Sequence, residues 1–64
     1  MTIAKNIKHQ RELKNWSQQE LAKQSGVSQS MISHIERGDK PNPGVVTVQK
    51  IADALDVSIM DLIK

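Results

Sequence analysis

Apolar side chains recur along the chain at intervals of three and four, and the breaks between these runs carry residues that start or stop helices. Ile3, Ala4 and Ile7 sit at helical spacing with polar residues between them, and Lys14-Asn15 ends the pattern, since asparagine tolerates the left-handed conformation of a helix stop. A first helix is predicted from about Thr2 to Lys14. Ser17-Gln18-Gln19-Glu20 then fits a capping box, in which the serine hydroxyl and the glutamate carboxylate each take an amide left unpaired in the first turn. The second helix starts there, turns Leu21 and Ala22 inward and stops before Gly26. A third begins two residues beyond Gly26 with Ser28 as its N-cap, places Ile32 and Ile35 on one face and closes at Arg37-Gly38. Pro41 and Pro43 mark an extended loop, because each lacks an amide hydrogen and pushes its predecessor out of the helical region.

Val45-Val46-Thr47-Val48 is ambiguous, since four β-branched residues in a row suggest a strand. Val45, Val48, Ile51, Ala52 and Leu55 nevertheless keep the three-and-four spacing, and no second strand exists to pair with, so a fourth helix is predicted. A second capping box, Ser58-Ile59-Met60-Asp61, opens a short fifth helix whose Ile59, Leu62 and Ile63 pack back or face a partner. The pattern is all-α.

Within this string, a twenty-residue unit from Gln18 to Arg37 has the spacing of a helix-turn-helix formed by helices 2 and 3. Ala22 stands fifth, where close crossing of two helices excludes a larger side chain. Gly26 stands ninth, where the turn needs positive φ and a side chain is expected to clash. Leu21, Val27, Ile32 and Ile35 take the inward positions that lock the second helix of the unit against the first.

The third helix carries the candidate chemistry. At 100° per residue, with Ile32 and Ile35 facing the core, Ser30, Ser33, His34 and Arg37 fall together on the opposite, wholly polar face, and Gln29 lies at the exposed N-terminal tip. A face selected only for solubility would favour Glu and Lys; this one has short uncharged donors and acceptors that are poor helix formers. A helix of this kind in a major groove reaches base edges from its N-terminal part. Glutamine can pair with adenine N6 and N7, serine can donate or accept, and histidine can donate to guanine. Gln29, Ser30, Ser33 and His34 are therefore the candidate readout residues. Gln18 and Gln19, in the first turn of helix 2, sit where amide hydrogens and the positive end of the helix dipole suit a phosphate, and Ser28 at the entrance of helix 3 is assigned to the DNA backbone with them.

Composition narrows the alternatives. Sixty-four residues allow one domain, 1–64, and rule out a two-domain enzyme. The chain has no cysteine, so disulfides and thiolate zinc sites are excluded and a reducing compartment is expected. No apolar run is long enough for a membrane span, and Lys5, Lys8 and Arg11 interrupt any signal-peptide core, so a cytoplasmic protein is expected. The net charge is only +2, but residues 1–40 hold seven basic side chains against four acidic ones, whereas the remainder holds two against three. Polyanion binding belongs to the first two thirds. His9 and His34 are the only histidines, the three glycines are isolated, and no pocket of useful size is expected, so neither catalysis, a metal site nor a cofactor is predicted. Trp16, the sole aromatic, is expected to cover the core edge rather than stack on bases, and Met31 to flank the core.

Arg11, Ser17-Gln-Gln-Glu-Leu-Ala22, Gly26-Val-Ser-Gln-Ser-Met-Ile-Ser33, Ile35-Glu-Arg-Gly38, Pro43, Ile51-Ala52 and Leu55-Asp-Val-Ser58 resemble the helix-turn-helix family of lambdoid phage repressors, Cro-like proteins and related bacterial transcriptional regulators. The resemblance covers nearly the whole chain and implies a compact, all-α five-helix bundle. Asn15 and Asp56 stand where the family usually has glycine, and Ser25 is polar at a usually apolar site, which is expected to loosen the turn. The resemblance also implies that Gln18 is a backbone or base-edge contact, that Arg37, Lys40 and Asn42 run along a sugar-phosphate chain, and that Arg11 and Glu36 form a structural salt bridge pinning helix 3 to helix 1. It favours a repressor, acting as a homodimer through its C-terminal helices on a near-palindromic double-stranded site, and relatives that continue into a sensing or dimerising region. The rival expectation is a protein-binding module of the same fold, an antitoxin or adaptor, using exposed apolar residues among Val46, Ile59, Met60 and Ile63.

Overall fold

The computed structural model describes residues 2–39 and 43–63. Among them are five helices and no strand: α1 (Ile3–Leu13), α2 (Gln18–Ser25), α3 (Gln29–Arg37), α4 (Val45–Leu55) and α5 (Ile59–Ile63). All five lie where the apolar spacing predicts them, α4 included, in spite of its β-branched first turn.

Hydroxyl caps stand at four of the starts, while α4 begins at Gly44 with no side-chain cap bond. Thr2 Oγ1 accepts from the Lys5 amide at 3.3 Å, Ser17 Oγ from Glu20 at 3.0 Å and Ser28 Oγ from Met31 at 3.1 Å, each worth about 1 kcal/mol. The box at Ser58 is reciprocal, for Asp61 Oδ2 accepts the Ser58 amide at 3.1 Å while the Ser58 hydroxyl takes that of Met60. At Ser17 the serine half alone follows the expected pattern. The Glu20 carboxylate turns along its own helix and accepts from Gln24 Nε2 at 2.7 Å, because glutamine one turn on is within easy reach.

Left-handed residues set the ends. Asn15 (φ 60°), Gly38 (φ 81°) and Asp56 (φ 59°) each reverse the chain so that the next amide returns to a carbonyl five residues back: Trp16 to Arg11, Asp39 to His34 and Val57 to Ala52, at 3.0 to 3.1 Å. This is the Schellman arrangement. Asn15 and Asp56 thus perform the glycine's task with little cost.

The helices enclose one cluster in which Ile7, Leu21, Ile32, Ile35, Ile51, Leu55 and Leu62 are essentially without solvent contact. α1 packs on α3 and α5, α2 on α3 and α4, and α4 on α5. Trp16 and Met31 pack partly buried against this core, and the Lys14 ammonium stands 5.4 Å above the Trp16 ring. Val45 opens α4 at 75% exposed, ahead of the buried stripe that begins at Val48. One sequence expectation needs correction here. Ile59 is packed against the core rather than free for a partner, whereas Val46, Met60 and Ile63 are exposed.

Candidate nucleic-acid interface

The turn between α2 and α3 sets where the candidate reading helix lies. Gly26 adopts φ 75° and its amide donates to Ala22 at 3.0 Å, closing α2. A side chain built at Gly26 meets nothing within 4 Å, so the expected clash is absent and the left-handed backbone alone favours glycine. Ser25 does not leave the turn loose either. Its hydroxyl accepts the Val27 amide at 3.1 Å, a bond an apolar side chain could not supply, and Val27 itself is buried.

The far end of α3 is held by Glu36, whose side chain is only 4% exposed. Arg11 of α1 grips it in a two-pronged pair, Nε to Oε2 at 2.8 Å and Nη2 to Oε1 at 3.0 Å. A third donor of the same guanidinium goes to the Trp16 carbonyl at 2.6 Å, so one side chain joins α1, the α1–α2 connection and α3. Gln18 Nε2 donates to Glu36 Oε1 at 3.2 Å and brings the first turn of α2 into the network. The hydrogen bonds that Arg11 donates to Glu36 raise the Arg11 pKa above its ordinary value; burial opposes this, and the charges of Glu36 and Glu12 reinforce it. Since the folded value is the higher one, this contribution to stability is intact through the neutral range and is lost only in strong alkali.

The predicted readout positions share α3. Gln29, Ser30 and His34 are exposed, while Ser33 is half-buried. Of the predicted backbone contacts, Gln19, Ser28 and Arg37 are exposed, Ser28 also serving as the α3 cap, and the Gln18 amide is turned partly inward to Glu36. Lys40 and Asn42 lie outside the described residues.

Two features escape sequence reasoning. Asp39 folds back beside α3, where its Oδ2 accepts from Arg37 Nε at 3.0 Å, and Arg37 Nη2 stands 2.9 Å from His34 Nδ1. A guanidinium can only donate, so Nδ1 accepts here; the 3.6 Å from Nδ1 to Asp39 Oδ2 is then no ionic hydrogen bond. The only sequence signal is an acid just past the Gly38 stop. The second feature is an open cleft of about 470 Å³ between the start of α1 and the end of α3, lined by Ile3, Lys5, Ile35 and Arg37 among others, where no pocket was expected. Among the described residues no three His, Cys, Asp or Glu side chains come together as a metal site requires, and no helix is long and apolar enough to cross a membrane.

Two short helices about a left-handed glycine, the second clamped at its end and polar on its outer face, define a helix-turn-helix unit. The chain belongs to the Helix-turn-helix family, whose sequence profile matches residues 7–62. It is 39% identical over 61 residues to the HTH-type transcriptional regulator SinR of Bacillus subtilis, an alignment covering 95% of this chain and 55% of SinR. An uncharacterized HTH-type transcriptional regulator of Sinorhizobium fredii, y4dJ, is 38% identical over 61 residues, with 95% and 78% covered. The regulator SutR of Escherichia coli is 38% identical over 55 residues, with 86% and 30% covered. The chain thus spans about half the length of SinR. No solved structure matches it.

Proposed function

We propose that residues 1–64 form the sequence-specific DNA-binding domain of a cytoplasmic transcriptional regulator, a repressor, which sets α3 in the major groove of double-stranded DNA. The observation that carries this reading is the pairing of a rigid clamp with a polar face. Glu36 ties the end of α3 to α1 and α2, and the same helix exposes Gln29, Ser30 and His34 to solvent. Orienting a helix from two neighbours while leaving short donors and acceptors on its outside is what base readout asks of a scaffold. The relatives' designation as transcriptional regulators supports the same assignment.

In this reading Gln29, Ser30, Ser33 and His34 contact base edges, while Gln19, Ser28, Arg37, Lys40 and Asn42 face phosphates. The amide of Gln18 in the first turn of α2 does so as well, its side chain staying with Glu36. Two copies, joined through the exposed Val46, Met60 and Ile63, would present two α3 helices to successive major grooves about 34 Å apart on a near-palindromic site. Those same apolar side chains favour the second reading, an antitoxin or adaptor that grips another protein.

Selection of bound sequences from a random double-stranded pool tests the proposal. The expected result is a shared, near-palindromic motif. Binding to it should weaken with salt at a log–log slope of roughly −3 to −4, as two cations from each of two subunits would produce. Recovery of no motif, with binding that ignores salt, would favour the protein-binding reading.

A further inference from the structure

Between positions 25 and 39 the chain has two carboxylates, and the fold treats them in opposite ways. Glu36 is turned inward and consumed by Arg11 and Gln18. Asp39 remains outside, 56% exposed, on the same side as the candidate DNA contacts. Its location is not accidental to the backbone. The left-handed Gly38 swings the chain back, the Asp39 amide bonds to the His34 carbonyl at 3.0 Å, and the carboxylate comes to rest 3.0 Å from Arg37 Nε. The Arg37 guanidinium in turn spans to His34. An anionic oxygen therefore already occupies the cation that would otherwise meet a phosphate.

We propose that Asp39 is a built-in stand-in for phosphate, which holds Arg37 in the free protein and must be displaced when Arg37 engages the DNA backbone. This rests on the DNA-binding function proposed above. A carboxylate and a phosphate offer the guanidinium the same kind of acceptor, so the two compete for it. Because the displaced group and the incoming one both lie off the base edges, the competition lowers affinity for every sequence. Asp39 thereby sets how much affinity correct base contacts must add before the domain stays bound.

A double-mutant cycle isolates the effect. Wild type, Asp39→Asn, Arg37→Gln and the double variant are titrated with the DNA motif recovered from a random pool and with a scrambled duplex of the same length. Thermal melting checks that each is folded. Asp39→Asn is expected to bind both duplexes about three- to fivefold more tightly, the range an exposed ion pair allows. In the Arg37→Gln background the same change should gain less than twofold. An unchanged or weaker affinity of Asp39→Asn overturns the inference, as does an equal gain with Arg37 absent, which would be a general charge effect. Either result leaves the DNA-binding function standing. A wild type that enriches no sequence and binds neither duplex overturns both.

Discussion

Glu36 shows how much of the site rests on single side chains. A carboxylate this deeply covered, removed from a guanidinium that is itself only 11% exposed, leaves a partly buried charge without its partner, and such losses cost about 3–5 kcal/mol. A chain of this length has roughly 3–10 kcal/mol of stability in all. Glu36→Ala should therefore lose most of its cooperative urea transition at 25 °C; a midpoint equal to wild type would show that the clamp is ornamental. Gly26 gives the opposite lesson. The space beside it is empty, so Gly26→Ala pays only for the left-handed backbone, about 1–2 kcal/mol, and should shift the midpoint modestly with the fold intact. At this scale the caps and stops were legible in the sequence, because Ser17, Ser28, Gly26, Asn15 and Asp56 act on their own neighbours. Asp39 was not. Its importance depends on a chain reversal that brings it against Arg37 and His34, and an acid after a glycine carries no such message by itself.

Among the elements, α4 is the instructive case. Its four β-branched residues pull toward a strand, but the stripe from Val48 through Ile51, Ala52 and Leu55 buries completely against its neighbours, and that burial outweighs the local preference. Periodicity locates the helix from its first residue, although Val45 shares the spacing without being buried. The join between α1 and α5 was invisible to such reasoning. Asn6, 6% exposed, sends its amide to the Leu62 carbonyl at 2.8 Å, tying down a carbonyl in the last turn of α5. A polar residue beside Ile7 looks like any solvated helix position until α5 is set over it. Asn6→Ala should destabilise by about 1–3 kcal/mol, the cost of leaving a buried acceptor unmet. Hydrogen exchange of the α5 amides would then rise more than that of α2 and α3; uniform exchange would mean that Asn6 serves the whole core instead.

For the whole molecule, the described residues pack within 22 × 22 × 19 Å, a size that in the function proposed above sets one α3 in one groove of DNA. Exposed apolar side chains at Val46, Met60 and Ile63 offer a surface for a second copy. Sedimentation at micromolar concentration should detect dimers that the pair Met60→Glu and Ile63→Glu converts to folded monomers. A wild type that stays monomeric both alone and on its DNA would contradict that assembly. The central claim concerns α3, however, and its test is direct. The affinity of wild type for its selected DNA, divided by its affinity for a scrambled duplex, is compared with the same ratio for a Gln29→Ala, Ser30→Ala double variant whose melting temperature matches wild type. The account predicts that this ratio collapses by at least tenfold, as loss of base contacts requires, while scrambled DNA is bound as before. An unchanged ratio would contradict the assignment of α3 as the reading helix.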